Sequence, residues 1–181
     1  SGTGETTILA SQSDLSIGLG AASGNPITLN NTELGNITAG SLTIGDGTNG
    51  NIRVDGVTAA NSDQFGTLTL NATSSGSSVI FETTDSSFQD LAVNAENGVS
   101  LTASLTTNGT TILNVDSDSD GTGSLTLAAN KTLSTTNNTL SLTASNLVLG
   151  SGSSMTSGSA NTSLLTALSG TTIGLGGGAG S

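Results

Sequence analysis

The sequence predicts an all-β protein, and three observations favour a parallel β-solenoid over a sandwich or a barrel. Apolar residues alternate with Ser or Thr in many short runs, as they do in strands that bury one face. Only three Phe and no Trp or Tyr occur in 181 residues, so two packed sheets would lack the aromatic side chains that usually fill the space between them. Asn, Ser and Thr are abundant, and in stacked strands their side chains form ladders. A thin core of stacked aliphatic rows fits this composition.

Strand candidates recur at intervals of about 8–12 residues. The clearest are nine runs with apolar residues at both ends: Ile27–Leu29, Leu42–Ile44, Ile52–Val54, Leu68–Leu70, Leu91–Val93, Val99–Leu101, Leu125–Leu127, Leu140–Leu142 and Leu147–Leu149. Clusters of Gly, Asn, Asp and Ser between the runs predict turns, and their unequal spacing predicts coils of unequal length. The clearest helical candidate, Thr162–Leu168, is one turn at most. Gly176–Gly180 predicts a turn between coils, with a flexible linker as the alternative.

The last 25 residues of the chain resemble the first 25. Residues 157–181 align without a gap to residues 1–25 with 10 identities, and Ile173–Gly176 matches Ile17–Gly20 at an offset of 156 residues. Because Ser and Thr make up 60 of the 181 residues, chance agreement is the alternative, but a four-residue run in one register favours a repeat. We therefore predict one solenoid repeat unit over residues 1–156 and the start of the next unit over residues 157–181.

The composition argues against several classes of function. Thirteen acidic and two basic residues give a net charge of −11, and two basic residues cannot neutralise the phosphates of a nucleic acid. No apolar run approaches the roughly 18 residues of a membrane-spanning helix. There is no His to act as the usual base for a nucleophile, and the Glu residues are scattered with no sugar-stacking aromatic residues near them. We therefore expect no enzymatic activity, no nucleic-acid partner and no membrane insertion.

One segment carries a recognisable metal-binding pattern. Asp116, Asp118 and Asp120 alternate with Ser and are followed by Gly121, which matches the opening of a calcium loop. The twelfth position of that loop would be Leu127, where a helix–loop–helix site needs a Glu, so a site of that type is excluded. The three Asp residues predict a site for calcium or another hard cation, with a solvated acidic turn as the alternative. No other cofactor is expected.

Two further patterns concern the outward faces of the strands. Arg53 and Asp55 are two residues apart, which predicts an exposed pair of opposite charges on one face. Hydroxyl pairs two residues apart resemble the flat arrays of ice-binding solenoids and occur at Ser41 and Thr43, Thr67 and Thr69, and Ser124 and Thr126. The alternative to ice binding is that Ser and Thr occur at these positions because they are favourable solvent-facing residues in strands.

The stretch Gly35–Gly56 and the glycine-rich Thr171–Gly180 resemble the repeats of filamentous-haemagglutinin-type exoproteins and of giant bacterial β-strand-repeat adhesins. The resemblance implies a right-handed parallel β-helix, secretion to the extracellular space or cell surface, and a role in adhesion or in the surface matrix. The chain has no Arg-Gly-Asp motif and no basic patch, so the resemblance favours the shaft of such a protein over its binding tip.

The sequence therefore predicts a structural repeat of a secreted bacterial fibre, sheath or adhesin stalk. The expected partners are neighbouring repeats or other copies of the protein, and host or matrix surfaces reached through other parts of a longer chain. The alternative function is a binding module, either a β-sandwich adhesin domain or a Thr-rich ice-binding solenoid.

Overall fold

The computed structural model describes residues 2–173, and this part of the chain is built almost entirely from parallel strands. Strands account for 41% of the residues and helices for 5%. Every strand pairing in the described residues is parallel. The predicted all-β class with parallel sheets is thus confirmed, and the arrangement is compatible with a β-solenoid. It does not fit an immunoglobulin-type sandwich, whose sheets are antiparallel.

The strands form three sheets. The first sheet has the order β1 (Glu5–Ile8), β4 (Ser41–Ile44), β6 (Thr67–Ala72), β9 (Asp90–Ala95), β12 (Thr111–Asn114), β15 (Leu140–Ala144) and β18 (Thr162–Thr166). The second has the order β3 (Ile27–Leu29), β2 (Ile17–Gly20), β5 (Ile52–Asp55), β7 (Val79–Phe81), β10 (Val99–Leu101), β13 (Ser124–Leu127) and β16 (Asn146–Leu149). The third has the order β8 (Ser86–Phe88), β11 (Leu105–Thr107), β14 (Thr132–Ser134) and β17 (Ser154–Thr156).

The chain visits the three sheets in a fixed order, and we call each passage from the first sheet to the third a circuit. Circuits 1 to 6 begin at β1, β4, β6, β9, β12 and β15, and β18 begins a seventh. In circuits 1 and 2 the third position holds the helix α1 (Asn31–Gly35) and the 3-10 turn Ala59–Asn61. The helix contacts this turn, and the turn contacts β8, so the third side continues in line with the third sheet.

The parallel register stacks equivalent residues of successive circuits into columns. One column of the first sheet contains Thr6, Leu42, Leu68, Leu91, Thr111, Leu140 and Thr162. Neighbouring members are separated by as few as 20 residues, from Leu91 to Thr111, and by as many as 36, from Thr6 to Leu42. The circuits therefore differ in length, and the loops between strands absorb the difference.

The core consists of aliphatic columns with one aromatic contact. The rings of Phe81 and Phe88 meet edge to face with centroids 6.4 Å apart. Thr111 interrupts a column of leucines, and its buried hydroxyl lies 2.6 Å from the hydroxyl of Thr107. The hydroxyl of Thr107 also donates to the carbonyl oxygen of Gly109 at 3.3 Å, so both buried hydroxyls are hydrogen-bonded.

All nine predicted apolar runs lie in strands, but the helical prediction is wrong. Thr162–Thr166 is strand β18, which pairs with β15 and so satisfies its backbone through the sheet. The observed helix α1 begins at a capping box: the Asn30 side chain accepts from the backbone N–H of Glu33, whose carboxylate accepts from the N–H of Asn30. None of the helices in residues 2–173 is long and apolar enough to cross a membrane. Gly176–Gly180 lies outside the described residues.

Candidate functional site

The acidic segment predicted to bind a cation forms the loop between β12 and β13, in circuit 5. Asp116 is fully buried. Its carboxylate accepts hydrogen bonds from the backbone N–H groups of Asp120, at 3.2 Å, and Gly121, at 3.1 Å, and from the hydroxyl of Ser145. Ser145 lies between β15 and β16, so Asp116 both closes its own loop and joins circuit 5 to circuit 6. Both of its oxygens are engaged in this structural role.

Asp118 and Asp120 instead meet a third acidic residue, Glu96. One carboxylate oxygen from each of the three residues lies within 4.8 Å of the other two, and we call this group the acidic cluster. Glu96 follows β9 in circuit 4, is 9% exposed, and accepts the backbone N–H of Gly76 at 2.7 Å. The structure thus brings two of the three predicted Asp residues together, with Glu96 in the place expected for Asp116. Calcium binding by Asp116, Asp118 and Asp120 stays a prediction.

Oxygen ligands in such a group match the preference of calcium and other hard cations. Without a cation, three carboxylates at this separation repel one another. The sequence analysis missed Glu96 because it lies more than twenty residues before Asp118, and only the stacking of circuits 4 and 5 brings them together. Its one sequence signal is that it directly follows the predicted strand around Leu91–Val93, at the end of β9.

An Asp-Gly-Thr turn occurs twice between the first and second sheets, in circuits 2 and 5. The carboxylate of Asp46 accepts the N–H of Thr48 at 2.7 Å and its hydroxyl at 2.8 Å. The carboxylate of Asp120 accepts the N–H of Thr122 at 2.9 Å and its hydroxyl at 2.7 Å. The hydrogen bonds from Thr48, first from its hydroxyl and then from its amide, lower the pKa of Asp46 below its ordinary value.

The predicted pairing of Arg53 with Asp55 is not found. Arg53 donates from Nε and a terminal nitrogen to the two carboxylate oxygens of Glu82, at 3.0 and 2.6 Å. This hydrogen bonding raises the pKa of Arg53. Asp55 is largely buried and accepts the backbone N–H of Thr84 at 2.9 Å. Each residue therefore bonds across to circuit 3 rather than along its own strand, because stacking brings the next circuit closer than the residue two positions away.

The hydroxyl pairs considered for ice binding form only a short array. Ser41 and Thr67 share one column of the first sheet and Thr43 and Thr69 another, but circuit 4 continues these columns with Asp90 and Ala92. Ser124 and Thr126 lie in the second sheet. Thr7 adds a third hydroxyl to the row of Thr43, but Glu5 precedes Ser41 in the other row, so these paired hydroxyls extend over two adjacent circuits.

The most informative geometry concerns the two ends of the stack. Following the pairings of the first sheet from strand to strand, Thr6 and Thr162 stand at opposite ends of one column. Ile8 and Leu164 likewise end a second column. The sequence alignment at the offset of 156 residues pairs the same residues, Thr6 with Thr162 and Ile8 with Leu164. Six circuits therefore separate two segments that agree both in sequence and in register.

The two ends differ in how they are covered. At the N-terminal end, β3 covers the outer edge of β2, and α1 follows it with Leu34 buried. At the C-terminal end, large apolar residues are exposed: Val148, Leu149, Leu164, Leu165, Leu168 and Ile173. Leu149 and Leu164 belong to inward columns that no further described strand covers, whereas Val148 and Leu165 lie in outward columns.

Comparison with protein-family models, with curated proteins and with solved structures finds no match to this chain. The functional argument therefore depends on the geometry described above.

Proposed function

We propose that the chain is a structural repeat of a secreted bacterial surface fibre, sheath or adhesin stalk. In this proposal residues 1–156 form one unit of a right-handed parallel β-solenoid, and residues 157–181 begin the next unit. The agreement between the 156-residue sequence offset and the register column from Thr6 to Thr162 is the observation that carries the proposal. Chance similarity between Ser- and Thr-rich segments gives no reason for the aligned residues to share a column.

The handedness follows from a general preference. Connections between parallel strands of one sheet are right-handed in nearly all proteins, because twisted strands pack back onto the sheet only in that sense. Each circuit binds only its two neighbours, so a stack can be extended without altering the circuits already present. The pairing of β15 with β18 then represents the contact between one unit and the next.

The surface composition supports an extracellular structural role. Outward positions carry mostly uncharged Ser, Thr and Asn, with an acidic excess that favours solubility. The neighbouring repeats are the proposed partners, and contacts with host or matrix surfaces are assigned to other parts of a longer chain. Immunogold labelling of intact source cells tests the location: label confined to the cell interior would contradict it.

Chains of one, two and three units test the fibre itself. A unit of six circuits at about 4.8 Å per circuit should add roughly 29 Å to the particle length. Cryo-electron microscopy of the three chains should show rods that lengthen by this increment with no gaps. Discrete globules joined by linkers would contradict the proposal, whereas an unchanged diameter with regular lengthening would support it.

The acidic cluster favours a second role, the binding of calcium between circuits 4 and 5. The supporting observation is the convergence of Glu96, Asp118 and Asp120 within 4.8 Å. Extracellular calcium modules bind in the range of about 0.1–1 mM, so about 1 mM calcium should raise the melting temperature relative to a chelator. The double variant Asp118→Asn/Asp120→Asn should lose this increase. An equal melting temperature of the wild-type protein in calcium and in chelator would rule the role out.

A further inference from the structure

One strand departs from the order that all the others follow. In the described residues, strands of the first and third sheets are arranged in chain order, but the second sheet ends with the order β5, β2, β3. β2 therefore has β5 on one edge and β3 on the other. Instead of advancing to circuit 2, the chain first returns and covers the outer edge of β2.

This outer edge is the one that a preceding unit would use. In circuits 2 to 6, each strand of the second sheet pairs with its counterpart in the circuit before it, as β5 pairs with β2 and β16 with β13. In a tandem array the counterpart that precedes β2 is the last such strand of the preceding unit, which corresponds to β16. β3 and that strand cannot pair with the same edge at once.

β3 also reproduces the residues that β16 would bring. Ile27 and Leu29 pair in register with Ile17 and Leu19. Following the pairings of the second sheet in the other direction, the columns of Ile17 and Leu19 end at Leu147 and Leu149. β3 and β16 therefore both present an apolar residue at the same two columns, separated by one outward residue.

The residues in and after β2 allow the chain to turn back and place β3 beside β2. Gly18 has no side chain, and a Cβ there would lie 2.6 Å from both the carbonyl oxygen of Ala22 and the side-chain nitrogen of Asn25. Asn25 donates from that nitrogen to the carbonyl oxygens of Ala22 and Ser23, at 3.2 Å each. Pro26, the only proline in the chain, directly precedes β3, and proline is tolerated at the start of a strand on a sheet edge.

The C-terminal end offers the complementary edge. Leu127 and Leu149 are neighbours in one column, yet Leu127 is 1% exposed and Leu149 is 48% exposed. The difference is that β16 covers Leu127, whereas no described strand covers Leu149. Its exposure is what a following strand of the same column would remove.

We propose that the outer edge of β2 is an assembly surface for the β16 edge of another unit of this same protein, and that β3 is a removable cap on it. The proposal deepens the fibre proposal and rests on it. The first unit of an array keeps β3 on β2, and in each later unit the preceding β16 displaces it. Until a matching unit is present, β3 thereby keeps the outer edge of β2 from pairing with unrelated strands.

A two-unit chain, residues 1–156 followed by residues 1–181, tests the proposal by hydrogen–deuterium exchange and mass spectrometry. An exposed Ser23→Thr change in the second unit gives its β3 peptide a distinct mass. The amides of Ile27–Leu29 should stay protected in the first unit and should exchange on the order of 100-fold faster in the second. Residues 146–149 of the first unit should become protected. Equal exchange of β3 in the two units would overturn the proposal.

A charge at the complementary edge provides the matched control. Leu149→Lys in the first unit should block displacement and restore protection of β3 in the second unit, whereas Leu149→Lys in the second unit, at the free end, should change nothing at β3. Particle length distinguishes failure of the cap proposal from failure of the fibre proposal. Rods that lengthen by the expected increment, with β3 equally protected in both units, would refute only the cap; separate globules would refute the fibre as well.

Discussion

In the second sheet the two ends of the stack belong to the same columns, yet β3 covers the outer edge of β2 and no described strand covers β16. Leu19 and Leu149 stand at opposite ends of one column; Leu19 is fully buried under β3, and Leu149 is half exposed. Likewise Leu142 is 2% exposed, whereas Leu164, one circuit later, is 37% exposed. Residue type and column are the same in each pair, so the neighbouring strand alone decides burial.

This comparison shows that stability in such a stack comes from contacts between adjacent circuits. The N-terminal end obtains its last neighbour from an apolar strand and a short helix of the same chain. The described part of the C-terminal end has no such cover, and among its contacts the buried Asp116 joins the loop of circuit 5 to Ser145. Substitutions at the two ends test each half of this contrast.

The largest expected difference in the free energy of unfolding is between truncation of Leu19, at the covered end of the column, and truncation of Leu149, at its other end. Leu19→Ala should lower the free energy of unfolding by about 2–5 kcal/mol, because it leaves a cavity beneath β3. Leu149→Ala should cost about 1 kcal/mol, because half of that side chain is already in water. Urea denaturation of the two variants measures both losses. Equal losses would mean that another strand covers Leu149 in solution.

Removing the polar contact of Asp116 should have the second-largest effect on the free energy of unfolding. Asp116→Ala leaves two partly buried backbone N–H groups and a hydroxyl without their acceptor and should cost about 1–3 kcal/mol. Asp118→Ala, two residues away and exposed, is the matched control and should change the free energy of unfolding by less than about 0.5 kcal/mol. Both measurements are made in chelator so that calcium plays no part. A loss at Asp118 as large as that at Asp116 would contradict the assigned roles.

The helix cap at the N-terminal end should contribute less. Asn30→Ala removes the acceptor for the first N–H groups of α1 and should cost about 1 kcal/mol. Thr32→Ala, in the same helix and on its exposed side, should stay within about 0.5 kcal/mol of the wild-type protein. Thermal melts of the two variants compare them directly. A negligible effect at Asn30 would indicate that β3 alone covers this end.

The strands could be predicted from the sequence because alternation of apolar and polar residues is a local pattern. Ile52–Val54 and Leu125–Leu127 carry it within a few residues, and both lie in strands. The helix α1 was missed although Asn30 and Glu33 have the spacing of a capping box, since only five residues follow the cap. Thr162–Leu168 was predicted to form a helical turn at most, and pairing of β18 with β15 overrides that weak preference.

The candidate site could be predicted only in part from the sequence, because it depends on which residues of neighbouring circuits lie next to each other. The acidic loop was recognised from its Asp residues, but no local pattern indicates that Glu96 joins Asp118 and Asp120 or that Asp116 turns inward. The same holds for Arg53, whose partner Glu82 is 29 residues away. These contacts follow from circuit lengths, which the loops set and the apolar runs do not reveal. The reversed position of β3 is equally non-local, because its sequence is that of an ordinary strand.

Substitutions in the two Asp-Gly-Thr turns should change the free energy of unfolding least, and the size of this change should depend on pH. The pKa of Asp46 is below its ordinary value because the ionised carboxylate accepts two hydrogen bonds from Thr48. A lowered folded-state pKa adds stability that is present above about pH 4, the unfolded pKa, and is lost as the pH falls through the folded pKa. Asp46→Asn should therefore be less stable than the wild-type protein at neutral pH, and the difference should shrink on acidification. Urea midpoints measured across this range test the prediction.

Asp120 makes the same two hydrogen bonds with Thr122 but lies beside Glu96 and Asp118. Asp120→Asn removes one of three mutually repelling charges, so in chelator it should cost less at neutral pH than Asp46→Asn, or even stabilise the protein. With calcium present the order should reverse, because the substitution then removes a ligand. An Asp120→Asn variant that is as destabilised in chelator as Asp46→Asn would show that repulsion within the acidic cluster is negligible.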